Sequence, residues 1–282
     1  MIVVTGATGQ LGRLVIQSLL KKVPAAKIVA AVRNVEKAQE LAALGVQVRQ
    51  ADYNHPEDWD AALQGADKVL LISSSEIGQR VAQHRNVIDA AKRAGVKLLA
   101  YTSVLHADTS VLGLAGEHRD TEAAIRASGV PFVLLRNGWY TENYAMGIPA
   151  ALSLGAVYGC AGDGRISSAA RADYAEAAAV VLTSDDQAGK TYELAGDSAY
   201  TLSEFAAEIS RQAGRAIGYV NLPEAEYRKA LLGAGLPEFL AELLANSDTG
   251  VSKGALFDEG HQLGKLIGRP TTPLAAMVAT AI

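Results

Sequence analysis

The chain has 282 residues, of which 49% are hydrophobic and 20% charged, and its net charge at pH 7 is −4. This composition is typical of a water-soluble α/β protein, and the length fits a nucleotide-binding domain with a smaller part attached. An acidic balance without a Lys/Arg cluster argues against a nucleic-acid partner, and no apolar run is long enough to suggest a membrane partner. The lone Cys160 excludes an internal disulfide, and with no room for an export signal before the first glycines we expect a cytoplasmic protein.

Short β-branched segments alternate with helical patterns in the first half of the chain. The predicted strands are Ile2–Thr5, Ile28–Arg33, Val46–Gln50, Lys68–Ser73, Lys97–Ser103 and Pro131–Arg136. Apolar residues at helical spacing predict helices over Gln10–Lys22, Val35–Ala43, Pro56–Leu63, Arg80–Ala94 and Glu117–Ser128. Strands separated by helix-length stretches indicate an α/β fold with a Rossmann-type, doubly wound parallel sheet.

This alternation ends at about Asn137. The later segments predict helices at Thr141–Ser153, Asp173–Leu182 with Asp173 as its N-cap, Ser203–Ala213, Glu224–Leu232 and Pro237–Leu244, and strands near Val157 and at Lys190–Ala195. Thr201 and Glu204 have the spacing of a capping box. We therefore predict a Rossmann domain over residues 1–140 and a smaller α+β domain over 141–282 that covers the substrate, with some of its strands returning to the main sheet.

Three glycines follow the first predicted strand directly and open the first predicted helix. Gly6, Gly9 and Gly12 occupy the turn at which a dinucleotide pyrophosphate binds in this architecture. Glycine is needed there because a side chain would separate the backbone N–H groups from the phosphate, while the helix N-terminus supplies partial positive charge. The order of strand, glycine turn and helix predicts a dinucleotide cofactor.

Arg33 closes the second predicted strand. An NAD-selective site usually presents Asp or Glu at this point, where it binds the ribose 2′-hydroxyl. A guanidinium can instead form a charge-assisted, bidentate contact with a 2′-phosphate, which NADP has and NAD lacks. The sequence therefore predicts that NADPH is preferred.

Polar residues also follow the other strands of the predicted sheet. Asp52 and Tyr53 are expected on the adenine side, Ser73–Ser75 beside the phosphates and ribose, and Asn137–Tyr140 near the nicotinamide. The carboxyl ends of parallel strands lie at one edge of a sheet, which is where ligands bind. We expect these segments to line one cleft.

The motif GATGxxG at Gly6, the arginine after the second strand and the segment Arg171–Ala175 resemble the NmrA-like atypical short-chain dehydrogenases. More closely, LLISSSEIGQR, YTSVLHADTS and LLRNGWYTENY are similar to the bacterial type 2 NADPH:quinone oxidoreductases, relatives of triphenylmethane dye reductase. The resemblance spans the whole chain and implies a two-domain, NADPH-dependent reductase. It implies cofactor binding by Gly6, Ala7, Thr8, Gly9, Gln10, Leu11, Arg33, Ser73, Ser74, Ser75, Asn137, Gly138, Trp139, Tyr140, Thr141, Glu142 and Arg171.

Short-chain dehydrogenases that reduce carbonyls use a Tyr with a Lys four residues later, because the nascent alkoxide needs a proton at once. None of the ten tyrosines here has a lysine at that spacing. Hydride transfer to a quinone or a cationic dye gives a delocalised or neutral product that needs no strong acid. We therefore expect hydride delivery from NADPH to a flat electrophile in which positioning does most of the work.

No catalytic residue is certain from the sequence. The candidates are Trp139 and Tyr140, as an aromatic surface for a flat acceptor, Asn137, which would orient the cofactor amide, and His106 or His118 as hydrogen-bond donors. No metal motif is present, and direct transfer would need no flavin. Three readings stay open: a quinone reductase, a reductase of triphenylmethane dyes or other electrophilic aromatics, and a non-catalytic NADP-sensing regulator. The oligomeric state is not predicted.

Overall fold

The computed structural model describes all 282 residues. Its strands are β1 Ile2–Val4, β2 Ile28–Val32, β3 Gln47–Gln50, β4 Lys68–Leu71, β5 Leu98–Val104, β6 Phe132–Asn137, β7 Ala156–Gly159, β8 Thr191–Leu194 and β9 Gly218–Asn221. Its α-helices are α1 Gln10–Leu20, α2 Gln39–Ala43, α3 Asp58–Ala62, α4 Arg80–Arg93, α5 Ala115–Ser128, α6 Thr141–Ala145, α7 Ile148–Leu154, α8 Arg171–Thr183, α9 Leu202–Ala213, α10 Glu224–Gly233, α11 Glu238–Ser252, α12 Gln262–Ile267 and α13 Leu274–Ala279. None of these helices combines the length and apolar character that a membrane span requires.

Seven strands form one sheet in the order β3-β2-β1-β4-β5-β6-β8, and every neighbouring pair is parallel. The direction of winding reverses at β1, which pairs with β2 on one side and β4 on the other. A reversal of this kind leaves a crevice at the carboxyl ends of the two strands, where ligands bind in open α/β sheets. The predicted Rossmann-type fold is confirmed, and β8 is a late strand that returns to the main sheet.

Both faces of the sheet are covered, which is why its strands are apolar at consecutive positions. On one face, alternate residues such as Val69 and Leu71 of β4 join a core with Trp59 of α3 and Val87 of α4. Elsewhere α1 packs along α8. Alanines dominate the buried side of α8, and small side chains let two helices approach closely.

The chain divides into two compact units. The first contains residues 1–107, 116–137 and 171–194 and includes the whole seven-stranded sheet. The second contains residues 108–115, 138–170 and 195–282 and has its own two-stranded parallel sheet of β7 and β9. Neither unit is contiguous, in contrast to the predicted ranges 1–140 and 141–282, because α8 and β8 belong to the first unit.

Several predicted elements differ from the structure. The helix expected over Val35–Ala43 is a 3₁₀ helix at Val35–Ala38 followed by the short α2. The helix expected over Thr141–Ser153 is two helices, α6 and α7, because Pro149 in the first turn of α7 has no N–H with which to continue α6. The prediction that Asp173 caps its helix is wrong, since α8 begins at Arg171 and places Asp173 inside its first turn. The last long helix, α11, continues to Ser252, well past Leu244.

Candidate cofactor-binding site

The glycine turn packs the start of α1 against the end of β1. Gly6 has a positive φ of 56°, and the Gly9 N–H donates to its carbonyl at 2.9 Å. A Cβ atom on Gly12 would lie 2.5 Å from the Gly6 carbonyl oxygen and 2.7 Å from the Ala7 Cα atom. No side chain caps the N-terminus of α1, so no capping oxygen occupies the N–H groups of its first turn and they can bind an anion. This cradle fits a pyrophosphate.

We expect Gly12→Ala to lower both the free energy of unfolding and the affinity for NADPH. The new Cβ would press on backbone atoms that cannot rotate away, and such overpacking costs about 1–3 kcal/mol, more than the roughly 1 kcal/mol that alanine gains in a helix. Urea unfolding and fluorescence titration measure the two effects. Gly9→Ala is the control for the unfolding measurement only, because its Cβ would lie 3.1 Å from the same carbonyl and Gly9 itself belongs to the binding turn. Equal losses in the free energy of unfolding in the two variants would contradict the packing argument.

A cleft of about 320 Å³ begins at this turn. It is lined by most of the predicted cofactor residues of the first unit, namely Gly6, Thr8, Gly9, Gln10, Leu11, Arg33 and Ser73–Ser75. Arg33 follows β2, its side chain is 71% exposed, and its Nη1 lies 3.3 Å from a carboxylate oxygen of Glu76. The guanidinium is therefore accessible from the cleft. Ala7 is fully buried and does not line it.

A ring of hydrogen bonds ties together the ends of β1, β3 and β4 beneath the cleft. The Tyr53 hydroxyl donates to the Ile72 carbonyl at 2.6 Å, the Ile72 N–H donates to the Thr5 hydroxyl oxygen at 2.9 Å, and the Thr5 and Tyr53 hydroxyls are 2.6 Å apart. Because a carbonyl only accepts, the Thr5 hydroxyl must donate to Tyr53. Burial raises the Tyr53 pKa well above its usual value, so the phenol stays neutral. This ring of hydrogen bonds holds in place the part of the cleft that Asp52 and Tyr53 line.

The serine run after β4 is held by buried partners. The Ser73 N–H donates to the Thr102 hydroxyl at 2.8 Å, and the Ser74 N–H donates to His84 Nε2 at 3.0 Å. Nε2 therefore lacks a proton, and His84 Nδ1–H donates to the Thr121 hydroxyl at 2.9 Å. Because the N–H groups of Ser73 and Ser74 already donate to these buried partners, a ligand can bind the hydroxyl groups of the serine run but not these two N–H groups.

Burial, with a smaller contribution from the charge of Arg80, lowers the pKa of His84 to about 3. Below about pH 6.5 the unfolded chain takes up a proton at His84, whereas the folded protein does not. Protonation therefore favours the unfolded chain, and the protein loses stability as the pH falls from about 6.5 towards 3. We expect His84→Asn to cost about 1–3 kcal/mol at pH 7, and we expect the gap from the parent protein to narrow on acidification.

Urea unfolding at several pH values between 7 and 4.5 measures the His84 effect. His55→Asn is the matched control, because His55 is exposed. A gap between His84→Asn and the parent protein that stays constant over this range would show that His84 does not remain neutral in the fold.

Asn137 is the last residue of β6. Its side chain is buried, with 6% exposure, and its Oδ1 has no hydrogen-bond partner within the protein. A buried amide oxygen without a donor is unfavourable by about 1–3 kcal/mol, which points to a donor supplied by a ligand. The Asn137 carbonyl is engaged separately, since it accepts the Leu105 N–H at 2.9 Å.

The loop after β5 is held by a buried ionic network. His106 has a left-handed φ of 53°, and its N–H donates to Glu193 at 2.8 Å. Arg136 donates to Glu193 at 2.8 Å and to both oxygens of Glu122 at 2.9 and 2.8 Å, and the pKa of Arg136 rises above its usual value chiefly through Glu122. The network holds the His106 backbone in this left-handed conformation, which non-glycine residues rarely adopt.

His118, the other predicted donor, is buried. Its Nδ1 lies 2.7 Å from the Tyr101 hydroxyl, and burial lowers its pKa to about 3. The imidazole is therefore neutral at pH 7 and engaged inside the first unit.

The remaining predicted residues do not line this cleft. Arg171 is the half-buried first residue of α8, in the first unit. The segment from Gly138 to Glu142 belongs to the second unit, where Trp139 and Tyr140 are half-buried and Tyr140 forms a β-bridge with Ala169. Thr141 is buried, with its hydroxyl 2.8 Å from that of Ser168, and Glu142 lies in the first turn of α6.

Sequence reasoning missed Glu76. It lines the cleft and pairs with Arg33, yet it follows the serine run as one ordinary charged loop residue. The role of Glu76 in the cleft follows only from its ion pair with Arg33, which lies 43 positions earlier in the chain.

Comparison with known proteins finds relatives that match this chain over nearly its whole length. Quinone oxidoreductase 2 of Escherichia coli (strain K12) is 60% identical over 279 residues, 99% of this chain and 98% of that protein. The crystal structure of the NADPH-dependent quinone oxidoreductase of Escherichia coli complexed with NADPH superposes with a TM-score of 0.98, at 60% identity over 99% of each chain. Triphenylmethane reductase of Citrobacter sp. complexed with NADP(H) gives a TM-score of 0.97 at 43% identity over all of each chain.

A family model agrees with these relatives. The model described as the NmrA-like family matches residues 1–258, a range that includes the glycine turn, the cleft and the network around His106. This chain belongs to the NmrA-like family.

Proposed function

We propose that this protein is an NADPH-dependent reductase that reduces quinones to hydroquinones by direct hydride transfer. The observation that carries the proposal is the accessible Arg33 guanidinium on the cleft that begins at the glycine turn. The relatives support it, since a quinone oxidoreductase with a structure in complex with NADPH is 60% identical over nearly the whole chain.

In this proposal the cofactor lies across the carboxyl ends of β1, β2, β4 and β6. The first turn of α1, from Gly6 to Leu11, would bind the pyrophosphate, and Arg33 the 2′-phosphate. The hydroxyls of Ser73–Ser75 would contact the sugar and phosphates. The unpartnered Oδ1 of Asn137 would accept a hydrogen bond from the nicotinamide amide.

The other cofactor contacts follow from the family resemblance rather than from the cleft. On that basis we propose that the backbone at Ala7, the residues Gly138, Trp139, Tyr140, Thr141 and Glu142, and the side chain of Arg171 also contact the cofactor. Trp139 and Tyr140, which belong to the second unit, would in addition offer aromatic surface to a flat acceptor.

Direct hydride transfer requires the side chains mainly to position the cofactor and the acceptor. When bound, NADPH supplies a hydride, and the quinone takes up this hydride and one proton to give the hydroquinone. The lack of a Tyr with Lys four positions later fits this reaction, because a quinone oxygen becomes a stabilised phenolate that solvent can protonate. The backbone fixed at His106 holds that imidazole as a candidate hydrogen-bond donor. Direct transfer needs neither flavin nor metal.

The acceptor class is tested by measuring kcat/KM with NADPH against a panel of small quinones and cationic triphenylmethane dyes. We expect quinones to be the better substrates. Higher kcat/KM for dyes would favour a reductase of triphenylmethane dyes, an alternative motivated by the 43% identity to triphenylmethane reductase. Tight NADPH binding without turnover on any acceptor would favour a non-catalytic NADP-sensing regulator.

A further inference from the structure

Glu76 lies in the cofactor cleft opposite Arg33. One oxygen of its carboxylate is 3.3 Å from Arg33 Nη1, and this pair is accessible, with the two side chains 43% and 71% exposed. Arg33 belongs to the turn after β2 and Glu76 to the loop after β4, so the ion pair joins two loops of the same cleft.

The carboxylate of Glu76 is anchored independently of Arg33. Its second oxygen accepts a hydrogen bond of 2.8 Å from Gln83, a residue of α4 that is only 2% exposed. The Glu76 N–H donates to the Ser74 hydroxyl at 3.1 Å, and Ser74 is itself held by His84. If Arg33 turned towards a ligand, Glu76 would therefore keep its place and its negative charge would stay in the cleft.

We propose that Glu76 is a specificity-determining residue that limits the preference for NADPH over NADH, an inference that rests on the proposed role of Arg33 towards the 2′-phosphate. A 2′-phosphate must draw the guanidinium away from Glu76 and then lies near a fixed carboxylate. NADH has a neutral hydroxyl at this position, so it binds without disturbing the ion pair. Arg33 and Glu76 thus act in opposite directions on cofactor choice.

The test compares dissociation constants for NADPH and NADH, measured by cofactor fluorescence without any acceptor. We expect Glu76→Gln to raise the preference for NADPH about two- to fivefold at low salt, the scale of an exposed ion pair. Glutamine keeps an oxygen that can accept from Gln83, so the loop stays anchored. Near 1 M salt the difference should vanish, because charges are screened within about 3 Å.

Three further variants complete the experiment. Glu226→Gln removes an equal charge from an exposed pair with Lys229 in the second unit, and its preference should match that of the parent protein. Arg33→Gln should lower the preference, and adding Glu76→Gln to it should then have a smaller effect than in the parent. An unchanged preference in Glu76→Gln, or equal changes in both constants, would overturn the inference while leaving the role of Arg33 intact. An unchanged preference in Arg33→Gln would instead contradict the role of Arg33 on which both proposals rest.

Discussion

Replacing Arg33 with glutamine is expected to weaken NADPH binding about 10- to 100-fold and to change NADH binding little. Hydrogen bonds to charged groups contribute about 1.5–3 kcal/mol, and each 1.4 kcal/mol is tenfold in affinity. The guanidinium is accessible from the cleft, and its ion pair with Glu76 is exposed, so its removal should cost the fold little stability. Only the 2′-phosphate, which NADH lacks, should be affected. Titration with both cofactors measures the effect.

Two further substitutions sharpen this result. Arg33→Lys keeps the charge but lacks the planar fork, so its affinity for NADPH should fall between the parent protein and Arg33→Gln. Arg93→Gln removes an exposed arginine that pairs with Asp60, outside the cleft, and should leave the preference unchanged. Equal losses for NADPH and NADH in Arg33→Gln would mean that Arg33 supports the loop rather than the phosphate.

Replacing Asp248 with asparagine is expected to stabilise the protein at pH 7 and above by up to about 3 kcal/mol. Asp248 is 6% exposed, and burial raises its pKa to about 6, although the N–H of Cys160, which donates to it at 2.9 Å, lowers the pKa somewhat. A shift of one pKa unit corresponds to about 1.4 kcal/mol. Asparagine can still accept the Cys160 N–H and is neutral at every pH.

The sign of the Asp248 effect is opposite to that of a paired carboxylate. Between about pH 4 and 6 the folded protein binds a proton at Asp248 that the unfolded chain has released, so stability falls as pH rises through this range. Urea unfolding at pH 4.5 and 8 should give a much larger gain for Asp248→Asn at the higher pH. Asp163→Asn, at an exposed aspartate of the same unit, controls for lost charge. An equal gain at both pH values would show that Asp248 is not protonated in the fold.

The sequence was most informative where a few consecutive residues determine both the local backbone structure and the kind of ligand that can bind there. The first β-strand, the glycine turn and the start of α1 follow from a few consecutive residues, because Gly12 cannot carry a side chain so close to the Gly6 carbonyl. The parallel sheet followed from the alternation of elements, and the capping box at Thr201 and Glu204 is confirmed. The resemblance to the NmrA-like family is likewise confirmed.

Features formed by distant residues could not be predicted in the same way. The short strand β9 begins with Gly218, is largely exposed, and pairs with a strand some sixty positions earlier, so neither its composition nor its periodicity marks it. The ring of Thr5, Tyr53 and Ile72 and the pairing of Arg33 with Glu76 depend on which loops the sheet brings together. Burial decides the protonation of His84 and Asp248, and burial is a property of the whole fold.

Direct hydride transfer is tested by turnover with purified protein that has been shown by its absorption spectrum to contain no flavin. NADPH consumption and hydroquinone formation would be followed together after mixing with a small quinone. Direct hydride transfer predicts equal amounts of the two, at a rate that falls in Arg33→Gln at subsaturating NADPH and recovers when NADPH is raised. NADPH consumption that begins only after flavin is added, or no consumption with any quinone, would contradict direct hydride transfer in this cleft.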